Sequence, residues 1–197
     1  VEDVLKIGDV IRFSSNIEGR YQLEQIPAIQ GALVSIKPQS GAVTAIVGGF
    51  DFHENQYNHA LQAARQPGSS FKPFVYSAAI EHGITPASIF LDAPLVFEDK
   101  NLETTYRPRN DSGRYNGPTR LRQALYRSIN LVSIRVLLEI GAGKVLEHAK
   151  TIGFDIKNFP RNTQLAIGGG TMSLSPLQMA TAYATLANGG FQVEPHI

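Results

Sequence analysis

Ser69 and Lys72 stand three residues apart in Arg65-Gln66-Pro67-Gly68-Ser69-Ser70-Phe71-Lys72-Pro73-Phe74, where a helical pattern begins. Pro67 and Gly68 supply the turn, and the pattern runs to about His82 with Gly83 as its stop. At about 3.6 residues per turn, positions three apart are neighbours, so the hydroxyl of Ser69, the amine of Lys72 and the phenol of Tyr76 share one face. Phe71, Val75, Ala78 and Ala79 mark the other side, widened by Phe74 and Ile80, which predicts a helix gripped by core around most of its circumference. An amine in such surroundings loses part of its preference for the charged form, and a neutral Lys72 can take the proton of Ser69. Backbone N–H groups at the same helix start, that of Ser69 among them, are available to a developing oxyanion. This is the equipment of an activated serine nucleophile. The pattern also has a plainer use, since Ser-x-x-Lys recurs by chance and a serine at a helix start often only caps it.

A second pair lies in Ser128-Ile129-Asn130, between two helical patterns. On a helix these two side chains diverge by about 200°, whereas in an extended or looped segment they point the same way. Placed in a connection, both face one cleft. There Ser128 can relay a proton between Lys72 and a leaving amine, and the Asn130 amide can hold a substrate carbonyl while touching Lys72. The plainer use is again a helix cap feeding a backbone N–H.

These residues need a scaffold. Residues 1 to about 24 alternate loosely, with turns at Gly8-Asp9 and Glu18-Gly19, and read as the last strands of a small β module; Pro27 marks the crossing into the next unit. Ala32–Ile36 and Ala42–Val47, joined through Pro38-Gln39-Ser40-Gly41, form a hairpin whose β-branched density predicts central strands covered by helices. Residues 51 to 66 are polar and irregular. Residues 84 to 118, rich in proline and carrying Tyr106-Arg107-Pro108-Arg109-Asn110, show little periodicity and read as a long functional loop region. Leu121, Ala124 and Leu125 then mark one short helix. Leu131, Ile134, Leu137 and Leu138 mark another ending at Gly141, and Val145, Leu146, Ala149 and Ile152 a third stopped by Gly153. The last helix opens with Ser175 as N-cap, Pro176 and a capping box closed by Gln178, and ends at Asn188-Gly189; Met179, Tyr183 and Leu186 are its expected buried face. Phe191-Gln192-Val193 begins a strand pattern.

Composition narrows the function classes. With 197 residues, 43% hydrophobic and 18% charged, the chain suits one globular domain with a small appendage. A net charge of +1 gives no electrostatic footprint for nucleic acid. Cysteine is absent, which excludes disulfide scaffolds and thiolate metal sites. His53, His59, His82, His148 and His196 lack metal-ligand spacing and read as surface or capping residues, so no metal and no cofactor is called for. Gly168-Gly169-Gly170 has no Lys-Ser/Thr of a phosphate loop and reads as a turn packed near the active site. Arg107, Arg109 and Arg114 read as a solvated charged loop, open to an anionic glycan or peptide, with Tyr115, Asn116 and Gly117 at the cleft entrance. No signal peptide and no apolar run of membrane-spanning length is found, and the chain opens and closes in mid-pattern, as a piece of something longer does.

Gly68-Ser69-Ser70-Phe71-Lys72 followed by Ser128-Ile129-Asn130 resembles the first two active-site motifs of the penicillin-binding proteins and serine β-lactamases. Ala32-Leu33-Val34-Ser35-Ile36-Lys37-Pro38 to Val47-Gly48-Gly49, Arg65-Gln66-Pro67-Gly68, Gly168-Gly169 and Ser175-Pro176-Leu177-Gln178-Met179-Ala180 narrow the resemblance, from Gly31 to Ile197, to the transpeptidase domain of class A bifunctional penicillin-binding proteins. The resemblance implies an α/β (α+β) fold with a central antiparallel sheet flanked by helices. It implies Ser69 as nucleophile on the penultimate D-Ala carbonyl of a peptidoglycan stem peptide, Lys72 as base, Ser128 as relay and Asn130 as substrate-binding residue, with β-lactams acylating the same serine. It further implies that residues 1–24 end a small, OB-like β module or linker, that residues 25–197 are the N-terminal part of the transpeptidase domain, and that a membrane anchor and a glycosyltransferase domain lie upstream, with catalysis on the outer side of the bacterial inner membrane. The family's third motif, K-T-G or K-S-G, is not within these residues; the remainder of the protein is expected to supply it, and this polypeptide alone is expected to be inactive and unstable. A β-lactamase of the same opening motifs adds a glutamate in an E-x-x-x-N setting after the second motif. Glu139, Glu147 and Glu194 lack that asparagine, and Glu54-Asn55-Gln56-Tyr57-Asn58 precedes the nucleophile. The alternatives kept open are a D,D-carboxypeptidase or β-lactamase-like hydrolase and a non-catalytic penicillin-recognising sensor.

Overall fold

The computed structural model describes residues 4–96 and 107–197. Two strands, β1 (Arg12–Ser15) and β2 (Tyr21–Glu24), pair antiparallel as a separate ribbon at the N-terminal side. Asn16 closes their turn by accepting from the backbone N–H groups of Glu18 and Arg20, the local bonding that makes asparagine a turn residue. All eight strand residues are exposed.

The predicted hairpin forms as β3 (Leu33–Ile36) and β4 (Val43–Val47), antiparallel with Leu33 opposite Val47 and Val34 opposite Ile46. Gly41, at φ +83°, turns the chain, and its N–H donates to the Lys37 carbonyl at 2.9 Å. Among the described residues the ladder is two strands wide, extended only by an isolated bridge between Ala42 and His196. One helix, α5 (Pro176–Ala187), packs on β3, and about half of the strand residues stay exposed. The helical cover expected from the β-branched density is therefore one-sided here. Phe191–Val193 forms no strand, and the bridge at His196 takes its place.

The core surrounds α1 (Lys72–Glu81), which is preceded by a short 3₁₀ turn, Gly68–Phe71. The single helix expected after the Pro67-Gly68 turn is thus two segments, and Gly68 belongs to the first of them. Around α1 pack α2 (Leu121–Tyr126), α3 (Asn130–Ile140) and α4 (Ala142–Ile152). Glycines end these last two helices where the sequence indicates, Gly141 at φ +88° and Gly153 at φ +109°. Phe71, Phe74, Phe154 and Phe159 form a buried aromatic cluster with centroids 4.9–5.8 Å apart. Each such contact contributes about 0.5–1.5 kcal/mol beyond its burial, so the start of α1 is anchored from below.

Two corrections concern secondary structure. The stretch 84–118, read as loop, contains β5 (Ile89–Asp92), which pairs antiparallel with β6 (Gly117–Arg120), Ile89 opposite Arg120 and Asp92 opposite Gly117. Residues 97–106 of that stretch, including Tyr106, lie outside the described residues. On α5 the buried positions are Ala182, Ala184 and Thr185, whereas Tyr183 and Leu186 are 39% and 37% exposed. Small side chains let this helix approach β3 closely. The Tyr183 ring lies edge-on to Phe74, and its hydroxyl reaches out to the Ser70 carbonyl. The capping box at Ser175 and Gln178 forms as expected, with both reciprocal bonds present.

Candidate active site

Lys72 opens α1 and is 1% exposed. Its Nζ donates to the Ser128 carbonyl at 2.7 Å, Ser128 Oγ at 3.0 Å and Asn130 Oδ1 at 2.6 Å. Burial draws the Lys72 amine down from 10.5 to about 8, against the Asp111 carboxylate, whose charge raises it. About a tenth of the amine is then neutral at pH 7, against about one part in three thousand for an ordinary lysine.

Ser128 and Asn130 come together because their connection is bent. Ser128 sits at φ +54°, the left-handed region, which costs a non-glycine residue about 1–2 kcal/mol. Backbone bonds hold it there: Ser128 N–H to the Leu125 carbonyl and Ile129 N–H to the Ala124 carbonyl, both at 2.9 Å. Beneath it, the Tyr76 phenol donates to Ser133 Oγ, which donates to the Ile129 carbonyl. Burial pushes the Tyr76 phenol up to about 12, with the bond to Ser133 opposing, so this group is a neutral donor in any ordinary buffer. Neither Ser128 nor Asn130 caps α3: the residue flanking that helix is Ile129, which makes no side-chain cap, and the Leu131 N–H donates instead to Asn110 Oδ1 at 3.1 Å.

Ser69 lies on the exposed surface of the 3₁₀ turn. Its neighbour Ser70 commits its hydroxyl to the Pro67 carbonyl at 2.6 Å, so the two serines are chemically distinct. Among the described residues Lys72 Nζ makes no hydrogen bond to Ser69 Oγ, and its polar partners are Ser128 and Asn130. The structure thus unites three of the four candidate residues around one nitrogen and presents the fourth one helical turn away. The turn itself is fixed by Gly168 and Gly170 of the glycine run: Gly68 N–H donates to the Gly168 carbonyl at 3.0 Å and Gln66 Nε2 to the Gly170 carbonyl at 2.7 Å.

The proton states of this cluster follow from donor counting. The Ser128 carbonyl and Asn130 Oδ1 can only accept. In the ammonium state all three N–H groups are taken and Ser128 Oγ accepts the third, leaving its own proton to point elsewhere. In the neutral state two N–H groups serve the two carbonyl-type oxygens, and the lone pair is left for the Ser128 proton. One proton on Lys72 therefore re-aims the Ser128 hydroxyl.

Three participants went unrecognised in the sequence. Asp111 accepts from Asn130 Nδ2 at 3.3 Å and is the charge that opposes the shift of Lys72; its only signal was its being the sole acid among six arginines between residues 107 and 127. Asn110 and Asp92 lie behind it. Asn116, expected at a cleft entrance, is exposed, and its N–H and Nδ2 donate to Asp92. Arg107, Arg109 and Arg114 are exposed, as expected of a solvated loop. Among the described residues no three His, Asp or Glu side chains converge on a metal position, and no helix is long and apolar enough to cross a membrane.

Residues 31–197 match the family model described as the penicillin binding protein transpeptidase domain. Penicillin-binding protein 1A of Pseudomonas aeruginosa is 47% identical over 195 residues, an alignment covering 99% of this chain and 24% of that protein. The crystal structure of penicillin-binding protein 1A from Haemophilus influenzae superposes with a TM-score of 0.90 at 39% identity, covering 97% of this chain and 28% of that one. PonA1 of Mycobacterium tuberculosis, solved in complex with penicillin V, superposes with a TM-score of 0.73 at 31% identity over 85% of this chain and 47% of that one. The chain spans about a quarter of the length of the curated relatives it matches. With a matching family model over most of its length, and a buried lysine binding the Ser-x-Asn connection as the motif spacing anticipates, the chain belongs to the penicillin-binding protein transpeptidase family.

Proposed function

We propose that this chain is the nucleophile-bearing part of a peptidoglycan D,D-transpeptidase. Ser69 Oγ attacks the penultimate D-Ala carbonyl of a stem peptide while neutral Lys72, its lone pair turned from the Ser128 hydroxyl to Ser69, takes the Ser69 proton, and the Ser69 N–H, in a first turn where backbone donors lack intrahelical partners, faces the oxyanion. Ser128 then passes its proton to the departing D-Ala amine and takes one from protonated Lys72 through their 3.0 Å contact, so the C–N bond breaks and Lys72 returns to its neutral form. The acyl group then passes to an amine of a neighbouring strand, and β-lactams acylate the same oxygen. The observation that carries this reading is the Lys72 amine, buried, lowered to about 8 and bound to Ser128 and Asn130 together.

Asn130 enters this scheme with a constraint. Its Nδ2 donates to the Arg109 carbonyl at 3.0 Å and to Asp111 at 3.3 Å, so a substrate carbonyl takes the place of the longer of these bonds. Residues 1–24 are proposed to end a small β module and residues 25–197 to form the first part of the transpeptidase domain. A longer protein is proposed to supply the K-T-G strand, the membrane anchor and the glycosyltransferase domain, with catalysis on the outer side of the inner membrane; the relatives being about four times this length supports that arrangement.

The test is labelling of the full-length protein with a fluorescent penicillin, followed by mass spectrometry of the labelled peptide. Ser69→Ala is expected to abolish the label and Ser70→Ala to keep it. Label that follows Ser70 instead, or none on the wild type, overturns the reading. Release of a cross-linked product in the presence of an acceptor amine distinguishes transfer from hydrolysis by a D,D-carboxypeptidase.

A further inference from the structure

Asp92, the last residue of β5, is fully buried and has no cationic partner among the described residues. A carboxylate buried without a counter-ion is costly unless hydrogen bonds fill its oxygens. They do so here. Oδ1 accepts from Asn110 Nδ2 at 2.7 Å, and Oδ2 accepts from the N–H of Asn116 at 2.9 Å and its Nδ2 at 2.6 Å. Asn110, 7% exposed, donates its second amide hydrogen to the Arg114 carbonyl at 2.9 Å. Its Oδ1 accepts from the N–H of Leu131 at 3.1 Å, the residue directly after Asn130 in the first turn of α3. No atom of this amide is left over, so Asp92 fixes which way it faces.

The residues on either side of Asn110 are the ones Asn130 leans on. The Arg109 carbonyl and Asp111 Oδ1 receive Asn130 Nδ2, which leaves Asn130 Oδ1 to Lys72 at 2.6 Å. The N–H groups of Lys72 favour the same face of the Asn130 amide, and the Arg109 carbonyl and Asp111 reinforce it from the other end. We propose that Asp92 and Asn110 are positioning residues that clamp the 109–111 loop to the start of α3, and so hold the Asn130 amide and the Lys72 amine in the orientation used for acyl transfer. This inference rests on the transpeptidase reading above. It assigns a role to two residues that touch neither substrate nor the reacting atoms.

The test uses the full-length protein and the acylation rate constant for penicillin at saturation, measured against pH. In Asp92→Asn one amide hydrogen must face a donor of Asn110 or Asn116; in Asn110→Asp two carboxylates face each other. Each is expected to lower the rate constant about tenfold. In Asp92→Asn the acid limb moves to lower pH, because Lys72 loses an acceptor that favours its ammonium form and a negative charge is removed, whereas in Asn110→Asp the added carboxylate moves it to higher pH. Apparent affinity for the non-covalent complex is expected to change less. The double swap Asp92→Asn/Asn110→Asp restores a donor opposite each acceptor except at the Arg114 carbonyl, and is expected to recover most of the rate. Asn188→Ala serves as control, since that side chain ties the end of α5 to the Pro38 carbonyl away from the site: its melting temperature falls while its pH limb stays. Asn110→Ala, which buries no new charge, keeps the question open to measurement if the charged swap does not fold. Single variants with the wild-type rate and limb, or rates that track melting temperature alone with no recovery in the double swap, overturn the proposal. A wild type that is not acylated at Ser69 sinks the transpeptidase reading and the positioning role together, whereas normal labelling with unaltered variants sinks the positioning role alone.

Discussion

Lys72 is poised between two demands, because a base needs a lone pair while the Ser128 carbonyl, Ser128 Oγ and Asn130 Oδ1 around it favour an N–H. Burial wins, and the amine falls to about 8. Acylation by penicillin is therefore expected to rise about tenfold per pH unit below that value and level off above it. Asp111 is the charge that resists the shift. Asp111→Asn keeps an oxygen for Asn130 Nδ2 but removes the charge, so the limb is expected to move to lower pH, and a limb that stays or moves up refutes the role given to Asp111. The same shift has a stability consequence with a fixed sign. An amine whose folded value lies below its unfolded 10.5 opposes folding when protonated; that cost is fully present below about pH 8 and fades as pH rises towards 10.5. Lys72→Arg keeps the charge but cannot act as a base near neutrality, and is expected to lose about a hundredfold or more in acylation rate, measured by stopped-flow or timed gel labelling.

The 3₁₀ turn of Gly68–Phe71 presents Ser69, and three contacts from two segments hold it: Gly168 beneath Gly68 and Gly170 receiving Gln66, both of the glycine run, and the Tyr183 hydroxyl on the Ser70 carbonyl at 2.7 Å. Gly168 has φ +63°, and a Cβ there would collide with the Gly68 carbonyl. Gly169 has no such constraint, its nearest neighbours lying at 3.8 Å. Gly168→Ala is thus expected to cost about 2 kcal/mol, seen as a melting temperature lower by about 4–8 °C together with slower penicillin labelling, while Gly169→Ala leaves both nearly unchanged. Equal effects at the two glycines would show that the turn is not clamped from this side. Features of this kind were legible in the sequence where their cause was local. The Ser175–Gln178 capping box, the glycine ends of α3 and α4, the β3–β4 turn and the two-residue spacing of Ser128 and Asn130 each depend on a few consecutive residues. The β5–β6 ladder was not legible, since Gly117-Pro118-Thr119-Arg120 has no strand signature of its own and pairs with residues about thirty positions earlier. For the same reason Asp92 and Asn110 went unnoticed, being eighteen residues apart in sequence and brought together only by that ladder. The buried side of α5 was misjudged because size was taken for depth: its alanines lie inward while Tyr183 reaches the nucleophile turn.

Burial is distributed unevenly along the chain, and the unevenness predicts where it opens. Helices α1 and α3 lie in one continuous core with Leu165, Met172 and the phenylalanine cluster, and α3 is buried along most of its length. The β1–β2 ribbon buries none of its strand residues, leaving Phe13 and Tyr21 stacked edge-to-face in solvent. An unsupported two-stranded hairpin is marginal in water, and a segment with few buried contacts opens at a fraction of the global free energy. The β3–β4 hairpin stands between these extremes, covered by α5 on one side. Hydrogen exchange on the full-length protein, read at these segments, is accordingly expected to follow the order β1–β2 fastest, β3–β4 intermediate, α1 and α3 slowest. Opening of β1–β2 is expected to leave the Lys72, Ser128 and Asn130 cluster protected, because no bond of that cluster passes through residues 4–30. Deleting residues 1–24 should then leave the slow amides of α1 and α3 within about threefold of their original rates, a change of less than ~1 kcal/mol in local opening. Loss of protection in α3 on that deletion would mean that the ribbon and the catalytic core fold as one unit, and the boundary proposed near residue 24 would have to be abandoned.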